Sequence, residues 1–158
     1  MKPSPIAEKL IKHYEGCKLK AYLCPAGVPT IGYGATGFDV RLGMIWTQEQ
    51  ADERFAHDLD VFGGKVSYAL GSKPTTQGQF DALTSFAYNL GIGNLITSTL
   101  LKMHKAGNYE GAQAQFQRWN RASGQVLEGL TRRRAAEAAV YGGTSDLDHL
   151  FQQIEGGR

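Results

Sequence analysis

Glu15, Cys24 and Thr30 are the residues of this chain whose types and spacing could do chemistry. Glu15 stands where a helical pattern ends, Cys24 follows nine positions later and Thr30 six positions after that. A hairpin between them would fold the thiol and the hydroxyl back towards the acid, so that one carboxylic acid faces two smaller polar groups across a narrow gap. Cleavage of a glycosidic bond needs two such faces. An acid protonates the leaving oxygen, and a group opposite activates water or stabilises developing positive charge. Spacing alone leaves a plainer reading open. A Glu at a helix end is commonly a solvated charge, and a Cys is commonly a small buried filler.

The elements that must position these groups follow from local pattern. Ser4-Pro5 reads as an N-cap with Pro at the first helical position, and Ile6, Leu10, Ile11 and Tyr14 continue at helical spacing, so a helix is expected over 5–15 with Gly16 as its stop. Residues 17–38 change character. β-Branched and aromatic residues alternate with Gly and Pro through Thr30-Ile31-Gly32-Tyr33-Gly34, which predicts a small β-meander or hairpin. Thr47 and Gln50 form a capping-box pattern ahead of Phe55, Leu59 and Phe62, with Gly63-Gly64 expected to break that helix and Val66, Ala69 and Leu70 to form a second one. Thr76 and Gln79 repeat the capping pattern before Phe80, Leu83, Phe86, Ala87 and Leu90, predicted to be the central buried helix, ending at Gly91. Shorter helices are expected over 99–105, from Asn108 through Trp119, and over 130–141. Residues 120–129 read as a polar loop, and Leu147, Leu150, Phe151 and Ile154 give a last amphipathic pattern. The whole is an α+β arrangement, one domain over 1–158, with a cleft expected between a small β lobe and a larger helical body.

Composition narrows the function classes. Seventeen Lys and Arg against fifteen Asp and Glu leave a net charge of +2, too small for an electrostatic grip on nucleic acid. Two cysteines cannot build a disulfide scaffold or a four-thiolate zinc site, and His13, His57, His104 and His149 show no ligand spacing, so no metal site is expected. No apolar run is long enough to span a bilayer, and the N-terminal residues carry no signal-peptide core. The expectation is a chain without stable membrane insertion that accumulates in the cytoplasm, with Cys17 and Cys24 as thiols, and that needs help to reach a target beyond the inner membrane.

The residues around the first three give them company. Glu15-Gly16, Ala21-Tyr22, Cys24, Gly27, Thr30-Ile31-Gly32-Tyr33-Gly34 and Thr36-Gly37 together resemble the phage-type lysozymes, glycoside hydrolase family 24, and most of all the endolysins of phages of Gram-negative hosts. That family's pattern is Glu, eight residues, Asp or Cys, five residues, Thr, and Glu15, Cys24 and Thr30 fit it in full. Gln79 to Gly91 is similar to its central helix. Ser98 to Leu101, Phe116 with Trp119, and Gly129-Leu130 with Arg133-Arg134 and Glu137 are similar to its later segments. The resemblance runs over about residues 5–142 and leaves 143–158 as an extension, expected to be a short surface helix.

The resemblance implies a lysozyme-like fold and an enzyme that needs no metal or organic cofactor. Its substrate would be bacterial peptidoglycan, cut at the β-1,4 bond after N-acetylmuramic acid, in the family's usual inverting manner. It implies a monomer that reaches the wall through a holin-type pore. Glu15 would be the general acid, which requires an environment that keeps its proton near neutral pH. Thr30 would help hold the attacking water. Cys24 stands where many relatives have Asp. It would either position and polarise that water or attack the sugar and give a covalent intermediate, while Cys17 carries no role and a Cys17–Cys24 disulfide would silence the thiol. Tyr88 and Asn89 fall where relatives present an aromatic and an amide to the sugar, or else Tyr88 packs in the core and Asn89 caps its helix. Gly32 and Gly34 admit the glycan to the backbone or make a tight turn. Trp119 is expected in the core. Of Arg132, Arg133 and Arg134, expected on a solvated face, one would reach the cleft and pair with Glu15. Two rivals remain at this point: a lytic transglycosylase, which would leave 1,6-anhydro ends, and a catalytically silent wall-binding module.

Overall fold

The computed structural model describes residues 1–156. Its first helix, α1, spans Pro5–Glu15 as expected, with the Ser4 side chain accepting from the Ile6 amide. The start of α1 is clipped to the body by a buried carboxylate. Asp81 accepts hydrogen bonds from the Ser4 amide, the Ser4 hydroxyl and the Gln77 side chain, and none of it is exposed.

The β lobe follows. Strands β1 (Lys18–Leu23) and β2 (Pro29–Gly32) pair antiparallel, with Tyr22 opposite Thr30 and a bulge between Lys18 and Tyr22. Residues 44–46 add a third edge: Ala21 donates to the Met44 carbonyl, Trp46 donates to the Leu19 carbonyl, and Lys20 bridges Ile45. The lobe has its own small core of Ala21, Ile31, Ala35 and Val40 under Met44 and Trp46.

Helix α2 (Gln48–Leu70) carries the chain out of the lobe behind a complete Thr47–Gln50 capping box. It does not break at Gly63-Gly64, as the sequence pattern suggests, but runs unbroken. Two interior glycines cost a helix about 1 kcal/mol each, and Gly63 has a compensating contact: a Cβ there would come within 2.6 Å of Pro3 Cδ. The glycine lets the N-terminal segment lie on the helix, and that tertiary contact outweighs the local penalty.

Helix α3 (Gln77–Leu90), capped by the Thr76–Gln79 box, is buried continuously from Gln79 to Ala87 and forms the axis of the helical body. Around it stand α4 (Ile92–Ile96), α5 (Thr99–Lys105), α6 (Tyr109–Gln115), a 3-10 turn at Phe116–Arg118, α7 (Glu128–Tyr141) and α8 (Leu147–Glu155). Trp119 packs edge-on to Phe86, within the body. The expected polar loop over 120–129 holds a miniature hairpin, β3 (Arg121–Ala122) with β4 (Gln125–Val126), turned by Ser123 and Gly124, both at positive φ. Helix α8, in the extension, buries Leu147, Leu150 and Phe151 against α1 and α7. No described helix is long and apolar enough to cross a membrane.

The two lobes meet at a separate aromatic joint. Ile11, Phe55 and Leu59 are buried there with Tyr33 and Tyr88. The joint sets the position of the β lobe relative to the end of α1, where Glu15 lies.

Candidate active site

Glu15 is the last residue of α1, and its side chain is 17% exposed. Two contacts fix its carboxylate. Arg133 Nη1 donates to Oε2 from α7 at 2.5 Å. On the other side the backbone of Gly34, at φ +84°, lies so close that a Cβ there would stand 2.9 Å from Oε1. Gly32, at φ +66°, is likewise covered by a side chain of the protein itself, the Trp46 ring. Both glycines thus make room for the protein's own groups, and both adopt a backbone conformation that disfavours side chains.

Across the hairpin, Cys24 and Thr30 are brought together as the spacing predicts. The Cys24 thiol receives hydrogen bonds from the amides of Val28 and Ala26 and from the Thr30 hydroxyl, which together hold it below the ordinary thiol range against a smaller opposing effect of burial. Thr30 is 4% exposed, and its single proton is shared between the sulfur and the Val28 carbonyl, which lies 2.9 Å away. Cys17 is not part of this cluster. It lies 4.0 Å from the Gln48 side chain, and both cysteines are free.

Tyr22 joins the two halves. It is opposite Thr30 in the hairpin, and its phenol is pushed up by burial, then by the negative fields of Glu15 and Cys24. Glu15 and Cys24 therefore act on one side chain. Tyr22 stands in the Ala21-Tyr22 motif, and nothing in its residue type alone marks it for a part in the chemistry. Its place follows from the register: the hairpin closes around Ala26 with Leu23 opposite Pro29, which sets Tyr22 opposite Thr30.

Tyr88 and Asn89 lie on the same helix and face different surroundings. The Tyr88 ring packs on Phe55 and Phe62 in the joint, and its hydroxyl donates to the Tyr33 carbonyl at 2.6 Å, so its polar tip is spent on bridging the lobes. Burial and the nearby Glu15 charge push that phenol up. Asn89 accepts from Arg134 Nη2 at 2.7 Å. Together with Glu15 it lines a cavity of about 480 Å³ whose other walls include Tyr14, Leu127, Gly129 and Arg132.

The three arginines are not on a solvated face. Arg133 and Arg134 are 3% and 0% exposed, and only Arg132 reaches the surface, beside Glu128. Arg133 is the one that meets Glu15. The buried pair is possible because Glu137, itself wholly buried, stands one turn further along α7. It lies 3.3 Å from Arg133 Nε and 2.9 Å from Arg134 Nε, and it accepts from the Ser85 hydroxyl at 2.5 Å. Arg133 also donates to the Ser85 carbonyl. An unpaired buried guanidinium would be prohibitively costly, whereas one shared among carboxylates and a carbonyl is tolerated.

Among the described residues, no group of three or more His, Cys, Asp or Glu side chains could hold a metal ion.

Residues 12–137 match the model of the family described as phage lysozyme. The chain belongs to that family. It is 42% identical over 146 residues to an endolysin of Bacillus phage PZA, an alignment that takes in 89% of this chain and 55% of that protein, so the chain spans about half the length of that relative. Among solved structures, the endolysin of the Escherichia coli O157:H7 phage FAHEc1 superposes with a TM-score of 0.82 at 40% identity, covering 92% of this chain and 96% of that one. The muramidase domain of SpmX from Asticaccaulis excentricus superposes equally well, with a TM-score of 0.82 at 37% identity over 91% and 99% of the two chains. The lysozyme-like α+β fold expected from the motifs is the fold of the family. The residues that match the family model end at 137, within α7 and before α8.

Proposed function

We propose that this chain is a muramidase of the endolysin type, a single lysozyme-like domain that hydrolyses the β-1,4 bond between N-acetylmuramic acid and N-acetylglucosamine in peptidoglycan. The observation that carries the reading is the carboxyl of Glu15 clamped by Arg133 at the helix end, with the neighbouring hairpin bearing the Cys24 thiol and Thr30 hydroxyl and Tyr22 within the electrostatic reach of both Glu15 and Cys24. Similarity to named endolysins and to a muramidase domain supports it.

In this mechanism Glu15 gives its proton to the glycosidic oxygen as the bond to the anomeric carbon breaks. A water on the opposite face of the ring attacks that carbon. Thr30 Oγ1 accepts one hydrogen bond from the water, and the Cys24 sulfur, as thiolate, accepts the proton the water loses. The lowered thiol pKa favours that form, whereas an unperturbed thiol would be largely protonated at neutral pH. Attack opposite the leaving group inverts the anomeric centre. Asn89, whose oxygen is engaged by Arg134, has its amide hydrogens left for an acetamido oxygen of the substrate. Tyr88 serves the site by holding the lobes at the right separation. The enzyme acts as a monomer without a metal or cofactor, and reaches the wall of its host through a holin-type pore to cause lysis.

Turbidity loss of outer-membrane-permeabilised Gram-negative cells tests the reading, with wild type expected to clear the suspension and Glu15→Gln to leave it turbid. Undiminished clearing by Glu15→Gln overturns the assignment. Mass spectrometry of the released fragments is expected to show reducing ends, and 1,6-anhydro ends would make the chain a lytic transglycosylase. Cys24→Ala is expected to lose most activity, and an alanine variant as active as wild type would remove the thiol from the mechanism.

A further inference from the structure

A proton donor held at 2.5 Å by an arginine presents an electrostatic difficulty. A guanidinium beside a carboxyl favours its ionised form, which is the form that cannot donate. The cluster behind Glu15 contains the means of relieving this. Glu137 is wholly buried one turn along α7 from Arg133, holds Arg133 Nε at 3.3 Å and Arg134 Nε at 2.9 Å, and touches no solvent. Nothing in the proposed chemical steps uses it.

We propose that Glu137 is a positioning residue for the acid: its carboxylate shares Arg133 with Glu15, takes up part of that guanidinium's field, and so leaves Glu15 able to carry a proton at neutral pH. The inference rests on Glu15 being the proton donor. With Glu15 protonated, Arg133, Arg134 and Glu137 together carry one net positive charge, and with Glu15 ionised the group is neutral. Removing the charge of Glu137 raises the first total to two and draws the proton off Glu15. Removing the charge of Arg134 lowers it to zero and holds the proton on.

The other groups that face the pair do not replace this balance. On Glu15 act the phenols of Tyr22 from β1 and Tyr88 from α3, with Cys24 beyond Tyr22. His13, Tyr14, Arg132 and, from α8, Glu155 share its cavity, where His13 and Glu155 are already paired at 2.8 Å. On Glu137 act Arg133, Arg134, the Ser85 hydroxyl from α3 and the Tyr14 phenol from α1. Of these, Arg133 alone touches both carboxylates.

The test is the pH profile of wall lysis by the full chain, with the ionisation of the Glu15 carboxyl followed in parallel by carbon-13 NMR. Two carboxylates sharing one guanidinium couple by about one pH unit at an effective dielectric of ~20. Glu137→Gln is therefore expected to move the alkaline limb of activity down by about one unit, a loss of roughly tenfold at a pH on that limb. Arg134→Gln is expected to move the limb up, and Glu137→Asp, which keeps the charge, to leave it near that of wild type. Loosening of the structure does not give shifts of opposite sign from the two members of one ion pair. Lysis limbs and Glu15 ionisations that both coincide with wild type in the two neutral variants, or ionisations that move the same way in both, overturn the proposal. Should Glu137→Gln lack a folded near-ultraviolet circular dichroism spectrum, Arg134→Gln and the double replacement of both residues by Gln decide the matter, the double variant being expected to restore the wild-type limb. If the Glu15 ionisation shifts as expected while the lysis limb stays in place, the electrostatic coupling stands and Glu15 is not the donor. If the ionisation does not shift, the role of Glu137 falls and the assignment of Glu15 is untouched.

Discussion

The tightest constraint on Glu15 is a missing methyl group, and restoring it gives a prediction with two separable parts. In Gly34→Ala the new Cβ must sit on a backbone at φ +84°, which costs an L-residue about 1–2 kcal/mol. It must also meet Glu15 Oε1 at 2.9 Å, closer than carbon and oxygen pack, so the carboxyl gives way by a few tenths of an ångström. Arg133, buried and held by Ser85 and Glu137, blocks retreat on the other side. A 1 Å misplacement of a catalytic group costs about 10²-fold, so a displacement of this size is expected to cost roughly three- to tenfold in kcat. Gly107→Ala is the control. Its φ is +80° and a Cβ there meets nothing within 4 Å, so it carries the backbone strain without the collision. Both variants are expected to lose about 2–8 °C in Tm, at ~2–4 °C per kcal/mol for a domain of this size. Only Gly34→Ala should lose activity on permeabilised cells well below that melting range. Equal Tm losses with full activity in both variants would refute the claim that the backbone at Gly34 aligns the acid.

Three further outcomes follow from the same structure. In a Cys17→Ser background, where Cys24 is the only thiol, a thiol reagent should titrate Cys24 with a midpoint below the ordinary value of 9.0, and a midpoint at or above it would show that the Val28 and Ala26 amides do not stabilise the thiolate. Asp81→Asn should cost about 2–3 kcal/mol, because one of the donors from Ser4 and Gln77 then faces an amide hydrogen, and an unchanged calorimetric Tm would mean the N-terminal clip contributes nothing. His104 is buried between the Thr75 and Tyr141 hydroxyls, and burial lowers its pKa below 6.5. The unfolded chain then binds a proton that the folded chain refuses, so its contribution to stability is constant above pH 6.5 and falls as pH drops towards the folded value, by up to ~1.4 kcal/mol per unit. Urea titrations across that window should show the slope in wild type and a shallower one in His104→Gln, and identical slopes would discount His104.

What could be read from the sequence divides along the range of the interaction responsible. Ser4-Pro5 and the boxes at Thr47 and Thr76 are local: a side chain three residues from an amide satisfies it wherever the helix lies, so helix starts were legible to the residue. The hairpin that unites Cys24 and Thr30 is nearly as local. The hairpin turned at Ser123-Gly124 was read only as a polar loop, because two strands of two residues each are too short to show an alternating pattern. Gly63 was misread because the residue that makes its missing side chain useful, Pro3, lies sixty positions away. The arginines of α7 were misread for the same reason: the groups that let Arg133 be buried include Ser85 and Glu15, the latter 118 positions distant. The spacing of Glu15, Cys24 and Thr30 therefore reports where the groups proposed to react stand, because hairpin and helix end are local structures. It is silent on what holds Glu15 in place, because Arg133, backed by Glu137, and the bare backbone of Gly34 reach it only through the packing of α1, α7 and the β lobe together.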